Sequence, residues 1–152
     1  MNKQIMDALA KIQAVITDSH LVYTSGKHGS TYFNKDAIYP HTEVTSQLCE
    51  EIAKHFADKG IEVVIAPAVG GVILSQWIAY HLTKITGREV LGVYAEKDGD
   101  EFVIKRGYDK LSAGKKVLIV EDILTTGGSV KKVIDVARKI GANIMGLGVL
   151  CN

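Results

Sequence analysis

The chain has 152 residues, 47% hydrophobic and 23% charged, with a formal net charge of +1 at pH 7. That length fits one domain, and that apolar share builds a core and argues against disorder. A net charge so close to zero supplies no global field to draw the chain onto nucleic acid or an anionic membrane.

No apolar run approaches the roughly 20 residues that span a bilayer. The opening segment MNKQIMDALAKIQAVITD lacks the continuous apolar stretch and small-residue cleavage site of a signal peptide. The two cysteines, Cys49 and Cys151, are far apart and outside any CxxC spacing. They read as reduced thiols rather than a disulfide or metal site, and the expected compartment is cytoplasmic.

In chain order, residues 3–16 set Ile5, Met6, Leu9, Ile12 and Ile16 at helical spacing. Residues 43–59 repeat the pattern with Val44, Leu48, Ile52 and Phe56, and Gly60 offers a stop. EVVIAP is a short aliphatic run halted by Pro67, the mark of a strand buried on both faces. GGVILSQWIAYHLTKITG predicts a helix over 71–86 with Gly87 behind it, and EVLGVYAE (89–96) another strand. Residues 97–116 differ: they are polar and charged, contain Gly99, Gly107 and Gly114, and only FVI (102–104) resembles a strand. A hairpin or mobile loop is expected there. KKVLIVED, GGSVKKVIDVARKIG and ANIMGLGVL then predict strand, helix and strand. Strands alternating with helices predict an α/β domain with a mostly parallel sheet, as one domain over 1–152. The strand of 142–150 should lie beside that of 117–120, since the helix between them has the length of a parallel crossover.

The chemistry concentrates where residues 117–120 end. That apolar strand delivers Glu121 and Asp122 to its carboxyl end, the edge where open α/β sheets bind ligands. Ile123 and Leu124 follow, and then Thr125, Thr126, Gly127, Gly128 and Ser129 turn into a helix. A helix N-terminus offers unpaired amides and partial positive charge to a phosphate, and glycine lets backbone approach an anion. Carboxylates repel a phosphate but accept hydrogen bonds from sugar hydroxyls or stand near a hydrated cation. Together these features fit a ribose 5-phosphate. Neither a Walker loop nor a GxGxxG fingerprint is present in this turn. PAVGG, with Ala68, Val69, Gly70 and Gly71, is a second backbone-rich turn into a helix; taken alone it is an ordinary strand–helix turn. A lysine-rich hairpin taken alone is a solvated face, and Tyr32-Phe33 taken alone is ordinary core.

EDILTTGGS resembles the phosphoribosyl pyrophosphate (PRPP) signature of the type I phosphoribosyltransferases. The resemblance runs over most of the chain and is greatest to the orotate branch. It is carried further by YTSGKHGSTYFNK (23–35), IAPAVGG (65–71), YAEKDGDEFVIKRGY (94–108) and the last strand. It implies a Rossmann-like central sheet flanked by helices, with a small N-terminal hood over 1–40. It implies transfer of ribose 5-phosphate from PRPP to orotate, with Mg2+ held mainly by PRPP near Glu121 and Asp122, in a homodimer.

By the same resemblance Glu121 and Asp122 hold the ribose hydroxyls, and 125–129 hold the 5-phosphate. Residues 68–71 hold the diphosphate, although many larger members carry lysine where Gly70 stands. The mobile loop 97–108 brings Lys97, Lys105 and Arg106 onto the diphosphate, often in the neighbouring subunit's site. Tyr32 and Phe33 pack on the pyrimidine, with Lys27 nearby and Thr125 touching the base; Thr24 stands where some members carry lysine, and His28 is a further basic residue. The family continues past its last strand with an orotate-binding arginine, whereas this sequence stops at Asn152, so weaker orotate binding is expected. Two other functions stay open: a phosphoribosyltransferase for a purine base, and a non-enzymatic PRPP-sensing regulator.

Overall fold

In a computed structural model, residues 3–16, 20–22, 26, 28–30 and 32–151 are described, and the chain divides into two units, residues 1–47 and 48–152. The expected hood, 1–40, falls inside the first unit.

The first unit opens with helix α1 (Lys3–Lys11), which buries Ile5 and Leu9 one turn apart and leaves Met6 exposed. The spacing predicts this helix as far as residue 16, but it ends five residues earlier. Gln13 takes a left-handed φ of 54°, and the chain turns into strand β1 (Val15–Ile16). Tertiary pairing overrides helical spacing here. Strand β1 pairs antiparallel with a later strand, Ala14 is fully buried, and the Asn34 N–H donates to Ala14 O at 2.7 Å. Strands β2 (Leu21–Val22) and β3 (His28–Gly29) form a separate antiparallel pair, and β4 (Tyr32–Phe33) is the partner of β1. A single turn, α2 (Lys35–Ile38), leads to α3 (Thr42–Phe56). The buried Thr45 hydroxyl donates to Ile38 O at 3.0 Å and fastens α3 to that turn.

Helix α3 runs on into the second unit, tightens into a 3-10 turn (Ala57–Lys59) and stops at Gly60, in the left-handed conformation expected of a stop. Strand β5 (Val63–Pro67) is buried at every residue, as its unbroken aliphatic run predicts for the centre of a parallel sheet. Helix α4 (Gly70–Thr86) buries Leu74, Ile78 and Leu82 and is closed by Gly87. Each such side chain contributes roughly 1.5–3 kcal/mol relative to exposure. Strand β6 (Leu91–Asp98) turns back through Gly99-Asp100 into β7 (Glu101–Val103). A short helix α5 (Tyr108–Ser112) follows, then β8 (Lys116–Ile123), α6 (Gly128–Lys139) and β9 (Asn143–Cys151).

The sheet order is β7-β6-β5-β8-β9, with β6, β5, β8 and β9 parallel and β7 an antiparallel edge. This is the α/β domain with a mostly parallel sheet that the alternation of elements predicts. The last strand lies beside 117–120 as expected, with Leu118 opposite Gly146 and Val120 opposite Gly148. Helix α6 covers one face, on Val63, Ile65, Val93, Ala95, Val117 and Ile119. Helix α4 covers the other: a Cβ on Gly92 would come 2.8 Å from Ser75 O, and Gln76 donates to Gly92 O at 2.7 Å.

Residues 97–116 are more structured than their polarity predicts. Phe102 and Ile104 are buried under α6, at 3% and 8% exposure, and anchor the hairpin to the core. Within 97–108, residues 97–101 and 105–107 are exposed. Helix α5 escapes sequence reading because five polar-rich residues show no helical period.

Candidate functional site

Three adjacent strands, β6, β5 and β8, end at the same edge of the sheet, and the chain leaving each is a stretch marked by its sequence. Neighbouring strands lie about 4.8 Å apart. The 68–71 turn, the 121–129 turn and the hairpin are thus neighbours by construction. Pro67 pairs with Ala95, and the Ala68 N–H donates to Ala95 O at 2.8 Å, so the first turn is tied to the root of the hairpin.

Glu121 and Asp122 lie near the carboxyl end of β8, each 8% exposed. Successive strand residues face opposite sides. Glu121 follows Val117 and Ile119 on the α6 side, and Asp122 follows Leu118 and Val120 on the other. Glu121 Oε1 accepts the Asp122 N–H at 3.2 Å, and Asp122 Oδ1 accepts the Ile123 N–H at 2.7 Å. Leu124 then donates its N–H to Cys151 O at 2.8 Å, which holds the turn to the end of β9.

Thr125, Thr126 and Ser129 are exposed. Gly127 has φ 74°, a conformation in which a β-branched side chain is disfavoured. Among the described residues no side chain caps α6, whose first turn leaves its leading amides for an external acceptor. The other turn is built similarly. Among the described residues no side chain caps α4, the Ala68–Val69 peptide is cis, and Val69 is 86% exposed. Gly71 is required by space: a Cβ there would lie 2.7 Å from the Ala66 Cβ.

The three candidate cations separate into two groups. Lys105 Nζ lies 2.9 Å from Asp98 Oδ2, and Arg106 Nε pairs with Glu96 Oε1. The hydrogen bond from Lys105, and then its charge, hold the Asp98 carboxyl below its usual range; the same pairing pushes Lys105 up. Lys97 faces the other way, opposite Phe102, and forms no ion pair among the described residues. The Lys132 ammonium of α6 donates to Asp100 O at the hairpin tip, a tether that sequence reading missed because it depends on docking of the hairpin. Sequence reading also passes over Glu96 and Asp98, which flank Lys97 but lie far along the chain from the Lys105 and Arg106 they meet.

Of the expected base-binding residues, Lys27 lies outside the described residues, as does Thr24. Tyr32 is 41% exposed and Phe33 half-buried, on a strand paired to Val15–Ile16. His28 Nδ1 lies 2.6 Å from His20 Nε2, with the rings stacked at 4.8 Å. Cys49 is buried, and burial pushes its thiol up to about 12, which makes it an inert core residue.

Residues 34–152 match the phosphoribosyl transferase domain family. The orotate phosphoribosyltransferase of Desulforamulus reducens is 37% identical over 151 residues, covering 99% of this chain and 75% of that protein. That of Chlorobium phaeobacteroides is 37% identical over 150 residues, covering 97% and 73%. Among solved structures, the orotate phosphoribosyltransferase of Francisella tularensis superposes with a TM-score of 0.70 at 20% identity, over 97% of this chain and 68% of that one. The adenine phosphoribosyltransferase of Saccharomyces cerevisiae gives 0.72 at 18% identity, over 99% and 89%. Similarity at that level reports the fold and does not separate an orotate site from an adenine site.

Proposed function

The chain belongs to the phosphoribosyltransferase family, and we infer that it transfers ribose 5-phosphate from PRPP to orotate, giving orotidine 5′-monophosphate and diphosphate in pyrimidine synthesis. The choice of orotate over a purine rests on the 37% identical relatives, since the fold is shared with adenine enzymes. The observation that carries the reading is the convergence of two helix N-termini, uncapped among the described residues, and the hairpin that bears Lys97, Lys105 and Arg106 at the carboxyl ends of three neighbouring strands.

In this reading the amides and hydroxyls of 125–129 take the 5-phosphate, and Glu121 and Asp122 take the ribose hydroxyls. The backbone of 68–71 takes the diphosphate, with Lys97, Lys105 and Arg106 as its positive partners. Tyr32 and Phe33 pack on the base, with Lys27 and Thr125 beside it. As the bond from C1 to diphosphate breaks, positive charge develops on the sugar and negative charge on the leaving group. Preorganised carboxylates favour the first and amides and cations the second. The site also aligns the base nitrogen with C1, and no protein nucleophile is needed.

Among the described residues no group of three or more His, Cys, Asp or Glu could hold a metal by itself. In this reading Mg2+ is carried by the substrate's oxygens beside Glu121 and Asp122, since Mg2+ is commonly bound by one or two carboxylates plus phosphates. Such a cation neutralises diphosphate charge. The same reading takes the working form to be a cytoplasmic homodimer.

The test is diphosphate release from PRPP and Mg2+ with orotate, adenine, hypoxanthine and guanine in parallel. Release with orotate alone is expected. Release driven by a purine would reassign the base, and none with any base would favour the sensing role.

A further inference from the structure

The hairpin that carries the candidate cations is not itself cationic. Between Tyr94 and Tyr108 it holds four carboxylates, Glu96, Asp98, Asp100 and Glu101, against three cations, Lys97, Lys105 and Arg106, a net charge of −1. A diphosphate approaching such an element meets little attractive field unless the carboxylates give up their partners.

Two of them have partners. Glu96 and Asp98 lie on one face of β6, since strand residues two apart share a face. That face is Tyr94's, opposite to the one Val93 and Ala95 bury under α6. Lys105 folds back onto Asp98, with Nζ 2.9 Å from Oδ2, and Arg106 onto Glu96. The backbone is shaped for this: Arg106 has φ 62° and Gly107 φ 81°, two successive left-handed residues that reverse the chain. Arg106 adopts that conformation without being glycine, which L side chains rarely do. Below it the Tyr94 and Tyr108 rings meet edge to face at 5.4 Å and close the base of the hairpin.

We propose that Asp98 and Glu96 are internal counterions, occupying Lys105 and Arg106 in the resting hairpin until the diphosphate group of PRPP displaces them. This deepens the function proposed above and rests on it. The exchange is one of ionic partners with no covalent change. Lys105 Nζ leaves Asp98 Oδ2 for a phosphate oxygen, Arg106 leaves Glu96, and the freed carboxylates return to water. Pairs as exposed as Lys105–Asp98, with side chains 53% and 59% accessible, are weak enough to exchange reversibly. Phosphate offers more acceptor oxygens than one carboxylate and suits the planar guanidinium. Asp98 and Glu96 are positioning residues on this account, because they act only through the cations.

The experiment compares Asp98→Asn and Glu96→Gln with Asp100→Asn. Asp100 lies in the same hairpin, but its side chain has no ion-pair or hydrogen-bond partner among the described residues. Calorimetry gives the PRPP dissociation constant, and steady-state kinetics give KM and kcat for PRPP and orotate separately. Asp98→Asn and Glu96→Gln should each tighten PRPP about two- to fivefold and lower its KM in proportion, the scale of an exposed pair. The orotate KM should stay unchanged, and Asp100→Asn should match wild type. Equal tightening by Asp100→Asn would reduce the effect to general charge and overturn the proposal. Unchanged or weaker PRPP binding in Asp98→Asn and Glu96→Gln, with wild type binding normally, would overturn it while leaving the proposed function intact. A wild-type chain that binds no PRPP would overturn both.

Discussion

Replacing Asp122 with asparagine removes one charge at the end of β8 yet keeps the Oδ1 oxygen that accepts the Ile123 N–H. The fold should survive and the ribose contact should not. A hydrogen bond to a charged group is worth about 1.5–3 kcal/mol, so PRPP affinity should fall roughly 10- to 150-fold. Calorimetry on Asp122→Asn, with circular dichroism as the folding control, reads both. Wild-type affinity would remove the ribose assignment. Gly127→Val acts on backbone instead: φ 74° is costly for a β-branched residue, and the side chain intrudes where a phosphate approaches. PRPP binding should be lost with only a modest fall in Tm. These positions are readable in the sequence because hydroxyls and glycines behind a paired carboxylate have few other uses. The partners of Lys105 and Arg106 are not. Which carboxylate meets which cation depends on strand register and on a left-handed Arg106, neither of which composition encodes.

Among the elements, the ones that read well are those whose burial is periodic or complete. Strand β5 is buried throughout, and α4 ends at the glycine its sequence supplies. Helix α1 reads too long because Ile12 and Ile16 continue its spacing, whereas pairing of Val15–Ile16 with Tyr32–Phe33 decides the local structure. The segment after Glu96 reads as either a hairpin or a mobile loop because its surface is charged; it is a hairpin, and Phe102 pins it to the core. Phe102→Ala should therefore cost about 3–5 kcal/mol. It should also strip hydrogen-exchange protection from residues 101–104, while β5 keeps its own. Equal loss in both strands would mean that the hairpin is not a separable element. At the opposite edge of the sheet, Glu62 joins β5 to β8. One oxygen accepts the Lys116 N–H at 3.0 Å and the other lies 2.9 Å from Lys115 Nζ. The backbone bond first, and Lys115 second, hold its carboxyl below its ordinary value of 4.5. A carboxyl lowered in the folded state contributes stability above its unfolded value, and that contribution disappears as pH falls through the folded value. Glu62→Gln should lower Tm slightly at pH 7, and the difference should vanish as the pH drops below 4.5. A Tm gap that persists or widens in acid would contradict that linkage.

For the whole molecule, the alternation of elements specifies the sheet because parallel strands need crossovers, and the crossover lengths leave few orders to choose from. What alternation cannot specify is whether a site is completed within one chain. If the hairpin cations serve a neighbouring subunit, mixing Lys105→Ala chains with Asp122→Asn chains should restore part of the activity, since one site of the mixed dimer is then whole. No recovery despite proven subunit exchange would place the cations in their own subunit's site. The most direct measurement is a crystal structure with ribose 5-phosphate bound. The phosphate is predicted on the amides of residues 126–129 and the ribose hydroxyls on Glu121 and Asp122. Phosphate bound at any other place, with the 125–129 turn empty, would contradict the assignment of that turn.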